Sequence, residues 1–157
     1  MKTNNTMKLA EALSVRKDLM KRIAQLQGRI ANNVKVQEGD EPLENPSDLM
    51  KELDACLKQL EDLIFRINAT NVQTLNAKGI TLTQLMAQRD VLTMRVNALR
   101  AVFNSASESQ NRYSQSEIKM VTVVDVKKLG KQVDDLSAKL RVLDMEIQAL
   151  NFATDLI

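Results

Sequence analysis

Two arginines stand where a leucine is expected. Arg16 interrupts the apolar series Leu9, Ala12, Leu19, Ile23, Leu26, Ile30, and Arg89 interrupts Leu82, Leu85, Leu92, Val96, Leu99, Phe103. In both series the step alternates between three and four residues, so each arginine sits on the apolar stripe of a helix. A guanidinium keeps its proton inside a protein, and burial therefore demands a carboxylate or several carbonyl oxygens. The sequence supplies candidates: Glu11 on the same helix as Arg16, Asp90 beside Arg89, and Glu38 and Glu117 in the connections, with Arg112 a further cationic member of the polar cluster. Asn68, Thr70 and Asn71 add hydrogen-bonding side chains where the second helix is expected to end. Such a cluster has two uses. It can fix the register and oligomeric state of a bundle, as a polar residue does in a coiled-coil seam, or it can hold an anionic small ligand.

Catalysis has less to stand on. The chain contains no histidine, so the commonest general base and the commonest metal ligand are both missing. No nucleophile–base pair and no phosphate-binding loop is recognisable. No metal site, no cofactor and no catalytic residue is expected. Cys56 is the single cysteine. It lies on an apolar helix face, in the manner of a small buried hydrophobe, and cannot form an intramolecular disulfide. A reducing, cytoplasmic location follows as the simpler expectation. The first residues lack the apolar core of a signal peptide, and no apolar run reaches the length of a membrane span.

The elements that must carry these residues are helical. The 157-residue chain has four Gly, two Pro and few aromatics, and its apolar residues are mostly Leu, Ile, Val, Met and Ala. The spacing predicts helices at about 7–31, 46–68, 82–104 and 125–150. Asn5 or Thr6, Asn45 and Asp125 are the expected caps of the first, second and fourth. Pro46 sits at the first position of the second helix, and Thr81 with Gln84 forms a capping-box pattern before the third. Helix 2 carries the stripe Met50, Leu53, Leu57, Leu60, Ile64, Ile67, with Leu49, Cys56 and Leu63 in a column beside it. Helix 4 has the cleanest stripe, Val126, Leu129, Val133, Leu136, Leu140, Leu143, Ile147, Leu150. Helices 2 and 4, with unbroken stripes, are expected to be the most buried.

Two β-branched segments, 34–37 and 117–124, are expected to pair as short antiparallel strands between helices 1 and 2 and helices 3 and 4. The fold class expected is therefore mainly α: one domain over 1–157, a bundle of four long helices with a small two-stranded element. Moving forward 73 residues carries Leu9, Arg16, Leu19, Ile23 and Leu26 onto Leu82, Arg89, Leu92, Val96 and Leu99. The chain can thus be read as two related helical hairpins.

Charge is segregated although the net is only +2. Residues 1–36 hold eight Lys/Arg against two Asp/Glu, and residues 37–62 hold two against nine. A basic first helix followed by an acidic second one points to pairing within the chain rather than to a nucleic-acid surface. Flanking apolar residues such as Leu13, Met20, Leu49, Leu63 and Met86 exceed what a small bundle buries, so a homo-oligomer, a dimer or larger, is expected.

Several stretches carry a resemblance: L-A-E-A-L-S-V-R, V-Q-E-G, L-I-F-R-I-N-A-T-N, G-I-T-L-T with A-Q-R-D, R-Y-S-Q-S-E-I and D-M-E-I-Q-A-L-N-F-A-T-D-L. In order and spacing they resemble the bacterial septicolysin-like family. The resemblance implies a helical protein that assembles into oligomers, and its name implies a pore-forming toxin. The residues themselves favour an oligomeric helical scaffold or binding protein. A small-ligand or enzymatic site in the polar cluster is the alternative, and a pore-former is the least favoured reading.

Overall fold

A column of residues seven apart sets the first packing contact. Leu49, Cys56 and Leu63 are buried, and Ile67 and Thr70 continue the same face. Opposite them, Leu9, Ala12, Leu19 and Leu26 are buried on the first helix. The structure is a computed structural model that describes residues 6–108, 118 and 120–157. Four helices run α1 (Leu9–Asn33), α2 (Pro46–Gln73), α3 (Leu82–Ser107) and α4 (Val126–Ala153). They fall into two compact units: Met1–Leu82 with Gln148–Ile157, and Thr83–Ile147.

In the first unit α1 and α2 pack along their length. Two cross-links, Arg22 to Glu52 and Arg29 to Glu44, fix an antiparallel register. They join basic α1 to the acidic stretch that follows it, as the charge segregation requires. Asn33 closes the end of α1. Its amide donates to the Arg29 carbonyl at 2.9 Å, and its side-chain oxygen accepts from the Glu44 amide at 3.0 Å. Asn45 caps α2, its side chain accepting from the Ser47 amide at 2.9 Å.

The cap residue of α1 is Lys8, without a side-chain bond, and not Thr6; Asn5 lies outside the described residues. The first helical amide, that of Leu9, instead donates to the Thr154 carbonyl at 2.9 Å. Leu156 donates back to the Met7 carbonyl at 2.8 Å, and Lys8 and Asp155 form an antiparallel β-bridge. The tail thus docks on the start of α1, with Leu156 buried.

α2 continues past Asn68 to Gln73, so Asn68, Thr70 and Asn71 are helical and not in a turn. Hydroxyl groups turn back on the helix: Thr70 Oγ1 donates to the Arg66 carbonyl and Thr74 Oγ1 to the Thr70 carbonyl, both at 2.8 Å. Ile67 and Thr70 face inward, and that packing extends the helix against weak local propensity. The true turn is Thr74–Thr81. Asn76 organises it, accepting from the Lys78 and Ile80 amides at 3.0 and 2.9 Å. Gly79 takes φ +75°, a conformation that suits glycine.

In the second unit α3 and α4 also lie side by side. Phe103 packs on Gly130, where an added Cβ would stand 3.0 Å from the ring. Arg100 donates to Ser137 at 3.4 Å. Residue 103 meets 130 and residue 100 meets 137, so the two helices are antiparallel. Asp125 caps α4 by accepting from the Lys128 amide at 2.9 Å.

The helical class holds, but the two-stranded element is not seen among the described residues. At 34–37, the Val34 amide donates to the Ile30 carbonyl as the end of α1, and Asp40 turns back onto Gln37. In 117–124 the described residues form no strand, and Ile118, Val121 and Val123 are exposed. β-branched sequence is not enough for a strand when no partner backbone lies alongside. The sequence stripe of α2 is also displaced. Leu57 is 44% exposed and Ile64 40%, while the neighbouring column Leu49, Cys56 and Leu63 is what faces α1.

Candidate functional site

The candidate residues are distributed, not gathered. Arg89 lies on α3 in the second unit with its side chain 30% exposed. Its Nε and one terminal nitrogen donate to Asp90 Oδ1 at 3.0 and 2.8 Å. The carboxylate predicted for it is thus the adjacent one, and Asp90 is itself 66% exposed. Arg16 lies on α1 in the first unit, half-buried, with no hydrogen bond or ion pair among the described residues. A long side chain can cover apolar surface with its stem while its charged head reaches water. Glu11 is exposed in the first turn of α1, and Glu38 is exposed in the turn after it. Arg112 and Glu117 lie outside the described residues.

Among the described members of the group Thr70 alone is fully buried, at 1% exposure, and it has a defined role. Its hydroxyl accepts from the Ile157 amide at 3.1 Å, while Arg66 Nε donates to the Ile157 main-chain oxygen at 2.7 Å. Lys8 joins Asp155 at 2.6 Å and donates to the Ala153 carbonyl at 3.2 Å. Together these bonds clasp the tail between α1 and α2. Asn68 is exposed and Asn71 partly so, and neither enters the clasp. The polar chemistry at the end of α2 therefore holds backbone in place. Sequence reasoning named Thr70 but missed Arg66 and Lys8, because their partners are main-chain atoms of residues far along the chain.

Two open recesses flank α1. One, of about 740 Å³, is lined by Asp18, Lys21, Arg22, Gln25, Arg29 and Glu52 among others. Its two arginines are paired. Glu52 binds Arg22 at 3.0 and 2.5 Å, and this hydrogen bond, ahead of the Coulombic attraction, raises the Arg22 pKa. The Arg29 guanidinium, by its hydrogen bonds, holds the Glu44 carboxyl below its ordinary range. The other recess, of about 920 Å³, is lined by Lys8, Glu11, Ser14, Lys17, Gln148 and Phe152 among others. Both are broad surface hollows, not enclosed pockets. Among the described residues, no group of three His, Cys, Asp or Glu side chains is placed to hold a metal ion. Cys56 is free and buried against α1.

What the fold defines is an all-helical protein of two antiparallel helix pairs. Its interior is aliphatic, its polar groups lock chain ends and register, and among the described residues no helix is long and apolar enough to cross a membrane. The model of a family of unknown function (DUF6847) matches residues 16–156, and the chain belongs to that family. It is also similar to a crystal structure of a functionally unknown conserved protein from Corynebacterium diphtheriae. The identity is 37%, the TM-score 0.90, and the match covers 98% of this chain and 100% of that one. No curated protein matches the chain. These findings overturn the resemblance to the septicolysin-like family, since neither the family nor the structural relative points to it. The pore-forming role that came with that resemblance goes with it.

Proposed function

We propose that the protein is a homo-oligomeric helical scaffold or binding protein, acting in the cytoplasm. One observation carries the reading. The long helices expose apolar side chains at helical spacing: Met50, Leu57 and Ile64 on α2, Val91 and Met94 on α3, Val142, Met145 and Phe152 on α4. Single exposed apolar residues are ordinary, but ordered stripes along several helices are the surface of a protein that associates. The polar cluster supports this reading better than a ligand site. Thr70 anchors the tail, Arg89 pairs with its neighbour, and Arg16 holds no partner among the described residues. The single buried thiol, Cys56, is compatible with a reducing compartment.

Sedimentation velocity of the purified chain, over a wide concentration range, tests the assembly. The expected result is a sedimentation coefficient above that of the monomer. A monomer at every concentration overturns the homo-oligomer. Native mass spectrometry of the same sample is expected to show protein mass alone, and a stoichiometric small molecule would favour the ligand-binding alternative.

A further inference from the structure

Among the described residues three polar side chains are buried: Asn33, Thr70 and Asn151. Asn33 is bonded to the Arg29 carbonyl and the Glu44 amide, and Thr70 to the Arg66 carbonyl and the Ile157 amide. Asn151 is the exception. It is 8% exposed, yet its carboxamide makes no hydrogen bond to a described residue. A buried amide without a partner is costly, and leucine at the same place would avoid that cost. No fully enclosed side-chain nitrogen or oxygen lacks a partner among the described residues. Both ends of the Asn151 amide therefore keep an opening, and the opening that Asn151 lines is the recess of about 920 Å³ beside α1. That recess lies within the first unit, between the start of α1 and residues 148–152 of α4.

The rest of the wall narrows the chemistry of an occupant. α1 contributes Glu11, Ser14 and Lys17 at steps of three, with Leu13 among them, and α4 adds the Phe152 ring, 68% exposed. Lys8, also on the wall, is neutralised by Asp155 at 2.6 Å. That leaves one cation, Lys17, and one anion, Glu11, both exposed and without an ion pair among the described residues. A phosphate-bearing ligand would meet a single available lysine and a repelling carboxylate, which disfavours a nucleotide. A ligand with one charge of each sign is matched. Glu11 and Lys17 stand six positions apart on α1, about 9 Å along its axis, close to the length of about three extended residues. Across the recess the Asn151 amide offers a donor and an acceptor side by side, the complement of a peptide bond. Leu13 and Phe152 supply apolar surface for a side chain.

We propose that this recess binds a short zwitterionic peptide of about three residues. Its ammonium group pairs with Glu11, its carboxylate with Lys17 and Ser14, and one peptide bond with the Asn151 amide. An apolar side chain of the peptide lies on Phe152 and Leu13. The site belongs to one compact unit and does not depend on self-association. Because the recess is open, it covers less of a ligand than an enclosed pocket does. The peptide is therefore held weakly and is absent from the purified chain.

The test titrates the tripeptide Ala-Leu-Ala into the full chain and follows the amide resonances by NMR, those of the Asn151 side chain included. Its N-acetylated and C-amidated forms and adenosine monophosphate are the comparators. Saturable one-to-one binding of the free tripeptide is expected, with each blocked form at least tenfold weaker. Glu11→Gln is expected to weaken the free peptide and leave the acetylated form unchanged. Lys17→Gln is expected to weaken the free peptide and leave the amidated form unchanged. Asn151→Leu is expected to weaken every form at least tenfold, with an unchanged or raised Tm, which separates loss of the site from loss of the fold. No saturable binding of the tripeptide overturns the proposal, as does tighter binding of adenosine monophosphate or undiminished binding by folded Asn151→Leu. Where Asn151→Leu does not fold, the exposed Glu11 and Lys17 variants decide, and binding that ignores both charges overturns the proposal. Its failure leaves the homo-oligomer reading standing, since sedimentation tests that separately.

Discussion

The position of the α2 column makes a quantitative prediction about two leucines on neighbouring faces. Leu63 is 5% exposed and packs in the α1/α2 seam, whereas Leu57 is 44% exposed on the rim. Truncation to alanine removes three carbons, about 2.4 kcal/mol of transfer free energy at about 0.8 kcal/mol per buried carbon. A cavity term adds to this at an enclosed site, so Leu63→Ala is expected to cost roughly 2–5 kcal/mol. Leu57 keeps little more than half of its surface covered, and water can enter the space left behind. Its expected cost is about 1 kcal/mol. For a chain of this size each kcal/mol corresponds to roughly 2–4 °C in Tm. Urea unfolding at low protein concentration, analysed by linear extrapolation, measures both variants, and an unchanged slope confirms that the two states are comparable. A cost for Leu57→Ala equal to or above that of Leu63→Ala refutes the assignment of the column. A Leu57→Ala cost that grows with protein concentration assigns Leu57 to an interface, by mass action.

Other expectations are independent of that pair. Gly79→Ala forces a side chain into φ +75° and is expected to cost roughly 1–2 kcal/mol in the same denaturation assay. Asp125→Ala removes the cap of α4 and is expected to cost about 1 kcal/mol, with Asn or Ser at the same position restoring most of it. Because Arg29 lowers the folded-state pKa of Glu44, that pair adds stability above the ordinary glutamate range and loses it as pH falls through the lowered value. Glu44→Gln is therefore expected to flatten the acid limb of a stability–pH curve, and an unchanged limb would refute the coupling. Arg89→Met breaks a surface pair between adjacent residues and is expected to change stability by less than about 1 kcal/mol.

Helix number and order were legible in the sequence because they depend on local spacing. The heptad steps of α1 and α4 and the caps at Asn45 and Asp125 need only a few neighbouring residues to be recognised. The charge segregation correctly paired the beginning of the chain with the stretch that follows it, through Arg22–Glu52 and Arg29–Glu44. What failed depended on distant partners. The end of α2 was drawn at Asn68 because Asn and Thr are weak helix formers, yet the inward-facing Ile67 and Thr70 carry the helix onward. The strand assignment failed for the converse reason: Val34–Gln37 has suitable residues but no strand beside it among the described residues. The choice between the stripe of Leu57 and the column of Leu63 was not legible either. Both repeat every seven residues, and only the position of α1 selects one.

The same ambiguity explains why the seam arginines are weak evidence for a site. A residue on a heptad stripe is buried only if that stripe is the one covered. Arg89 shares its helix face with buried Leu82, Leu85 and Val96, yet it turns to Asp90 and remains 30% exposed. Arg16 shares its face with buried Leu9, Ala12 and Leu19 but lies at the side of that column. At such a margin an arginine stem screens aliphatic neighbours from water while its charge stays solvated. It also makes lateral slippage unfavourable, because a shift that moved the charge to the centre would bury it without a partner. The chemistry available for recognition lies instead on the outward faces, where α3 and α4 repeat alanine, valine, methionine and alanine at matching steps.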